Sequence, residues 1–191
     1  MTPPPLLLLR HGETEWNHAR RIQGSLDSPL TALGRRQAEE QGRILAALRP
    51  DPMHMPLYVS PLFRARMTAE IAMPGHAQIV DPRLSEIACG DWEGLTPAER
   101  AQGWPALAAE CQSDLALYDR APGGEGLDGV ARRVSDFLHG LDSPSVIVAH
   151  KVVLIVLRGL LLGLDRTALH GLEAPQGVVL RIDAGQETVL R

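Results

Sequence analysis

LLLLRHGETEWN, residues 6–17, runs four leucines directly into Arg10, His11, Glu13, Thr14 and Asn17. An unalternating apolar run suits a strand covered on both faces, as in a parallel sheet between helices. Where such a strand stops, its next residues stand beyond the carboxyl edge of the sheet, the place where open α/β folds bind ligands. Positive charge and hydrogen-bonding groups packed into that position suit an anion.

Working outward, TALGRRQAEEQGRILAAL (31–48) predicts a helix, with Thr31 as its N-cap and Gly34, Ala38, Leu45 and Leu48 on one face. LYVS (57–60) reads as a second buried strand, LFRARMTAEIAM (62–73) as a helix and AQIVD (77–81) as a third strand. GLDGVARRVSDFLHGL (126–141) is amphipathic at helical spacing, SVIVAH (145–150) is a further buried strand, and 151–163 continues as a helix. GVVLRID and ETVLR near the end read as closing strands. The alternation predicts an α/β fold, a three-layer α/β/α sandwich with a mostly parallel central sheet. One domain is expected over 1–191. Within it 87–126, irregular and scattered with Gly, Pro and Trp, would be an insertion of short helices covering the substrate.

Composition narrows the function. The chain has 191 residues, 45% hydrophobic and 22% charged, with a formal charge of −4. Such a length buries roughly 70% of the unfolded surface. A net-acidic chain is not expected to bind nucleic acid, so any basic site must be local. Cys89 and Cys111 are the only cysteines, and with no secretory leader evident they suggest reduced thiols in the cytoplasm. VVLIVLRGLLLGL (152–164) is interrupted by Arg158 and falls short of the ~20 residues that span a bilayer, so no membrane partner is expected. Apart from Pro3–Pro5 there is no low-complexity tract.

Three predicted strands end in polar chemistry. The first delivers Arg10 and His11, the second leads to Arg64 one helical turn into its helix, and SVIVAH ends in His150. Two histidines and two arginines converging in a net-acidic protein want a small, doubly charged anion, and phosphate is the obvious one. Arginine forks phosphate oxygens, and a neutral imidazole can attack phosphorus.

LLRHGETEWN resembles the signature of the histidine phosphatase superfamily, the phosphoglycerate-mutase-like enzymes. IQGSLDSPLTALGRRQAEEQG (22–42), VSPLFRARMTAE (59–70), LSEIACGDWEG (84–94), APGGEGLDGVARRV (121–134) and VIVAH (146–150) resemble its further motifs, in order and over most of the chain. The resemblance implies roles. His11 would be the nucleophile forming a phosphohistidine. Arg10, Arg64 and His150 would grip the phosphoryl oxygens, joined in substrate binding by Asn17, Gln23 and Gly24. Glu86 would be the acid and then the base, with Glu93 a loop-ordering carboxylate. Gly12 would keep the approach to His11 clear. The arginines supply the positive charge, so no metal and no cofactor is expected.

One position departs from the family. Lys151 stands where a small residue, often Gly, usually follows the second histidine; it either points to solvent or adds charge for the substrate's anionic remainder. Arg66 is expected to be solvated, and His18, His54, His76, His139 and His170 to be ordinary surface or edge residues. Trp92, Trp104 and Tyr118 line a pocket or form a satellite core. The expected activity is that of a histidine acid phosphatase-like phosphomonoester hydrolase acting on a small phosphorylated metabolite. Alternatives are a phosphoglycerate mutase or a non-catalytic phospho-ligand binder. The mutases of the resembling family carry a longer closing insertion than Gly94–Ala121, which favours the phosphatase. Whether the protein forms a homodimer stays open.

Overall fold

The computed structural model describes residues 4–49, 52–111 and 113–191; Pro3 of the proline tract and Gln112 of the 87–126 segment lie outside them. Six strands form one sheet: β1 (Leu6–Arg10), β2 (Leu57–Val59), β3 (Gln78–Val80), β4 (Ser145–Ala149), β5 (Val179–Asp183) and β6 (Gln186–Leu190). Their order is β3-β2-β4-β1-β5-β6. β1 to β4 are mutually parallel, while β5 runs antiparallel to β1 and pairs with β6 as a hairpin.

The helices are α1 (Glu15–His18), α2 (Ala32–Ala46), α3 (Phe63–Ala72), α4 (Pro97–Gly103), α5 (Pro105–Glu110), α6 (Asp114–Asp119), α7 (Gly126–His139), α8 (Lys151–Leu162) and α9 (Arg166–Leu169). The leucine run explains the layering. Leu6 and Leu8 point to one face, with Ile147 and Ala149 of β4, where α7 and α8 pack through Val130, Val134, Phe137 and Leu154. Leu7 and Leu9 point to the other, with Val146 and Val148, where α2 and α3 supply Ile44, Leu45, Ala65 and Ala69. Two-sided burial is therefore why no polar residue alternates with the leucines.

Local chemistry sets the helix ends. Thr31 caps α2 by accepting from the Gly34 N–H at 3.0 Å. Thr14 and Asn17 form a reciprocal capping box on α1. α8 ends at Gly163, whose φ of 65° is the left-handed conformation that glycine adopts without strain. Arg158, the charge inside the apolar run of this helix, is buried and reaches Glu187 of β6 at 2.5 Å and the Glu173 carbonyl, so the helix is pinned to the far hairpin.

The helices predicted from periodicity appear with ends shifted by a residue or two. α1 and α9, four residues each, were not anticipated. The irregular 87–126 segment contains α4, α5 and α6. No helix among the described residues is long and apolar enough to cross a membrane.

Candidate active site

β1 and β4 pair so that Arg10 lies opposite Ala149, and the His11 N–H donates to the Ala149 carbonyl at 3.0 Å. The next residue on each strand is a histidine, which brings His11 and His150 together beyond the sheet's carboxyl edge. His11 Nδ1 lies 2.8 Å from the Gly12 carbonyl oxygen. A carbonyl only accepts, so Nδ1 carries the proton and Nε2 keeps its lone pair. Burial, with Arg64 and Arg10 adding to it, holds the His11 pKa well below its ordinary value. His11 is thus an uncharged imidazole with one nitrogen fixed and the other unoccupied.

His150 is fully buried and N-caps α8. Its Nε2 shares a 2.7 Å hydrogen bond with the Ser60 hydroxyl at the end of β2, and its Nδ1 is buried with no partner. Burial, then Arg64, His11 and Arg10, depress its pKa as well.

Arg64 is held by the loop that follows α1. Its Nη1 donates to the Leu26 carbonyl at 2.6 Å and to Asp27 at 2.8 Å, and its Nη2 donates to the Gly24 carbonyl at 2.9 Å. Asp27 also accepts from the Phe63 N–H at the start of α3, so one carboxylate joins loop, helix and guanidinium. Arg64 Nε is buried without a partner. Arg10 Nη1 donates to the Ala174 carbonyl at 2.8 Å, its Nε is likewise unpartnered, and burial lowers its pKa. Arg66 is exposed.

Glu86 sits against the start of α8. It accepts from the Val152 and Val153 N–H groups at 3.3 and 3.4 Å, and from the Ile87 N–H at 3.0 Å. Glu93 instead orders the loops. It accepts from the Ser25 and Cys89 N–H groups at 2.8 and 3.0 Å, and ties the Gly24 loop to the carboxylate segment. Gly24 itself is left-handed, and a Cβ there would meet Glu93 Oε1 at 2.2 Å. Asn17 accepts from the Thr14 N–H through Oδ1, which leaves its amide N–H groups available.

These groups enclose a small cavity of about 20 Å³ lined by Arg10, His11, Asn17, Gln23, Arg64 and Glu86, with Gly24, Arg21, Tyr118 and Lys151 completing it. His150 stands behind His11, not in that lining. Two larger chambers adjoin it, about 310 and 410 Å³, and Arg10 and Lys151 line both.

Several expectations change on inspection. Gly12 does not serve to clear the path to His11; a Cβ there would strike the Gly34 carbonyl oxygen of α2 at 2.2 Å. The three aromatic residues divide: Trp92 is fully buried in a T-shaped pair with Trp104, while Tyr118 faces the cavity. Lys151 lines the cavity with its side chain 25% exposed, and binds Asp114 of α6 at 2.7 Å. His170 is exposed, as expected of a surface residue, and its Nδ1 and the Ser113 hydroxyl share a 2.8 Å hydrogen bond. Sequence reasoning missed Ser60, Asp27, Arg21 and Gln176, whose Nε2 donates to the His11 carbonyl at 3.0 Å.

The sequence profile of the histidine phosphatase superfamily (branch 1) matches residues 6–190. The chain is similar to glucosyl-3-phosphoglycerate phosphatase of Mycolicibacterium vanbaalenii, 35% identical over 174 residues, covering 83% of this chain and 74% of that one. It is similar to a protein named "Probable phosphoglycerate mutase GpmB" in Cronobacter sakazakii, 36% identical over 189 residues, covering 94% and 84%. The solved mycobacterial glucosyl-3-phosphoglycerate phosphatase, a complex with VO3, superimposes with a TM-score of 0.77 at 31% identity, covering 94% of this chain and 92% of that one.

Proposed function

Since the chain belongs to the histidine phosphatase superfamily, branch 1, we propose that it hydrolyses small phosphomonoesters through a phosphohistidine intermediate without a metal. The observation that carries this reading is the state of His11: Nδ1 is locked to the Gly12 carbonyl, the ring is uncharged, and Nε2 opens on a cavity between Arg10 and Arg64.

In the first step Nε2 attacks phosphorus, the N–P bond forms and the P–O ester bond breaks. Glu86 gives its proton to the departing oxygen. In the second step Glu86 takes a proton from water, the water oxygen bonds to phosphorus, and the N–P bond breaks to release phosphate. Charge developing on the phosphoryl oxygens meets donors already in place: the unpartnered Nε atoms of Arg10 and Arg64, and the Asn17 amide. The arginines supply the positive charge that a metal gives other phosphoryl-transfer sites.

Likeness to the proteins named phosphoglycerate mutase supports a second reading, in which the phosphoryl group returns to another hydroxyl of the same molecule. The two chambers beside the cavity give water room to reach the phosphohistidine, which favours hydrolysis. The test is a phosphoester panel run with EDTA beside His11→Ala, with acid-quench trapping of phosphoenzyme. Phosphate release and a trapped N–P adduct, both lost in His11→Ala, are expected. Isomer exchange of a monophosphoglycerate without phosphate release would replace the phosphatase by the mutase.

A further inference from the structure

Glu86 hangs on neither a strand nor an α-helix. It belongs to an irregular stretch between two 3-10 turns, Pro82–Leu84 and Gly90–Trp92. Its carboxylate accepts from main-chain N–H groups, two of them across 3.3 and 3.4 Å. A general acid must come within about 3 Å of the oxygen it protonates. The main chain beneath Glu86 therefore has to be fixed as firmly as a strand end fixes His11.

One pair of side chains does this from both sides. Glu125, immediately before α7, exchanges two bonds with Ala88, which lies just beyond Ile87 and Glu86. The Ala88 N–H donates to Glu125 Oε1 at 3.0 Å, and the Glu125 N–H donates to the Ala88 carbonyl at 3.1 Å. Arg133 of α7 donates from Nη1 to the carbonyl of Arg83, on the other side of Glu86, at 2.6 Å. The two side chains close on each other as a fork, Arg133 Nε to Glu125 Oε2 at 3.1 Å and Nη2 to Oε1 at 2.8 Å. Arg83 and Ala88 are thus joined across Glu86 through a single bidentate pair. The turn before α7 presses on the same stretch, since a Cβ on Gly124 would meet the Ala88 carbonyl oxygen at 2.7 Å. All three residues come from APGGEGLDGVARRV (121–134), which contributes no side chain to the cavity wall.

We propose that Glu125 and Arg133 are positioning residues for the general acid, a clamp that fixes the main chain on both sides of Glu86 so that its carboxyl meets the departing ester oxygen. The proposal rests on the phosphomonoester reading of the cavity. In the first step of that reaction Glu86 gives its proton to the ester oxygen as the P–O bond breaks and the N–P bond to His11 forms. Neither clamp residue lines the cavity, so each acts through Glu86. A displacement of about 1 Å at a reacting group can cost about a hundredfold in rate. For an acid, that cost grows with the basicity of the leaving oxygen. Benzyl alkoxide needs the proton, phenolate needs it less, and p-nitrophenolate departs without it.

The test is kcat/KM on p-nitrophenyl, phenyl and benzyl phosphates, because without added alcohol this ratio covers only the steps through P–O cleavage. Arg133→Met and Glu125→Gln should lower it about tenfold for benzyl phosphate, against about twofold for p-nitrophenyl phosphate. Arg133→Lys, which keeps the charge but not the fork, should restore part of the loss. In a Glu86→Gln background, where the acid is already gone, Arg133→Met should add no dependence on the leaving group. Should Arg133→Met fail to fold, Glu125→Gln carries the same comparison, since its amide oxygen still accepts from the Ala88 N–H.

Losses that are equal across the three esters, or a gradient that Arg133→Met still produces in Glu86→Gln, overturn the clamp. A wild type that releases phosphate from no ester overturns the hydrolase reading and the clamp with it, whereas equal losses in variants of an active wild type overturn the clamp alone.

Discussion

The rings of His11 and His150 stand with centroids 5.1 Å apart, tilted at 53°, and both are buried beside Arg10 and Arg64. Both are therefore held uncharged in the folded protein well below the pH at which a free imidazole charges. The unfolded chain protonates them near their ordinary pKa of 6.5. As pH falls below that value the unfolded state binds protons that the native state refuses, so stability declines. The slope is about 1.4 kcal/mol per pH unit for each histidine until the native pKa is reached. Urea unfolding between pH 7.5 and 5 should show this loss, and it should shrink in a His11→Asn/His150→Asn double variant. By the same logic the acid limb of kcat/KM should lie below the range of an ordinary histidine.

Ser60 is the partner of His150 on the ring's Nε2 side. Ser60→Ala leaves a fully buried ring with neither nitrogen bonded, and the cost of an unmade buried hydrogen bond is about 1–3 kcal/mol. We expect kcat to fall about tenfold or more, with Ser60→Thr restoring most of it. Steady-state kinetics on p-nitrophenyl phosphate decide the matter.

Gly12 and Gly34 press backbone to backbone. A Cβ on Gly12 would lie 2.2 Å from the Gly34 oxygen, and one on Gly34 would lie 2.0 Å from the Glu13 oxygen. Neither obstacle is a side chain that can swing aside. Gly12→Ala should cost about 2–3 kcal/mol of stability and should displace His11, so a thermal melt and an activity assay fall together.

The buried Arg158, its side chain 4% exposed, pairs with the half-buried Glu187 across 2.5 Å. Removing the carboxylate strands a charge inside the molecule. Glu187→Ala should destabilise by about 3 kcal/mol, read by chemical denaturation, whereas a joint Arg158→Leu/Glu187→Leu replacement should recover much of it.

The sheet was readable because Leu6–Leu9 and Ser145–Ala149 carry an undiluted apolar pattern, and α2 and α7 because their periodicity runs for three turns or more. α1 and α9 have four residues each, too few for a period to register. Arg10, His11, Arg64 and His150 stood out because each follows or adjoins a strand end. Ser60, Asp27 and Gln176 did not, since their importance comes from neighbours 90, 37 and 165 positions away. Glu86 was picked out by its motif, yet its seat on the first N–H groups of α8 is a tertiary fact with no local trace. The same holds for the Lys151–Asp114 pair, whose members lie on separate helices.

His150 and Lys151 are consecutive at the start of α8, and the eight residues that follow, Val152–Gly159, are all buried. Glu86 is held there through main-chain N–H groups of Val152 and Val153, which any side chain at position 151 leaves in place. One end of α8 thereby holds Glu86 by main chain and Asp114 by side chain. A substitution at 151 therefore changes what Asp114 meets while the main-chain seat of Glu86 stays as it is.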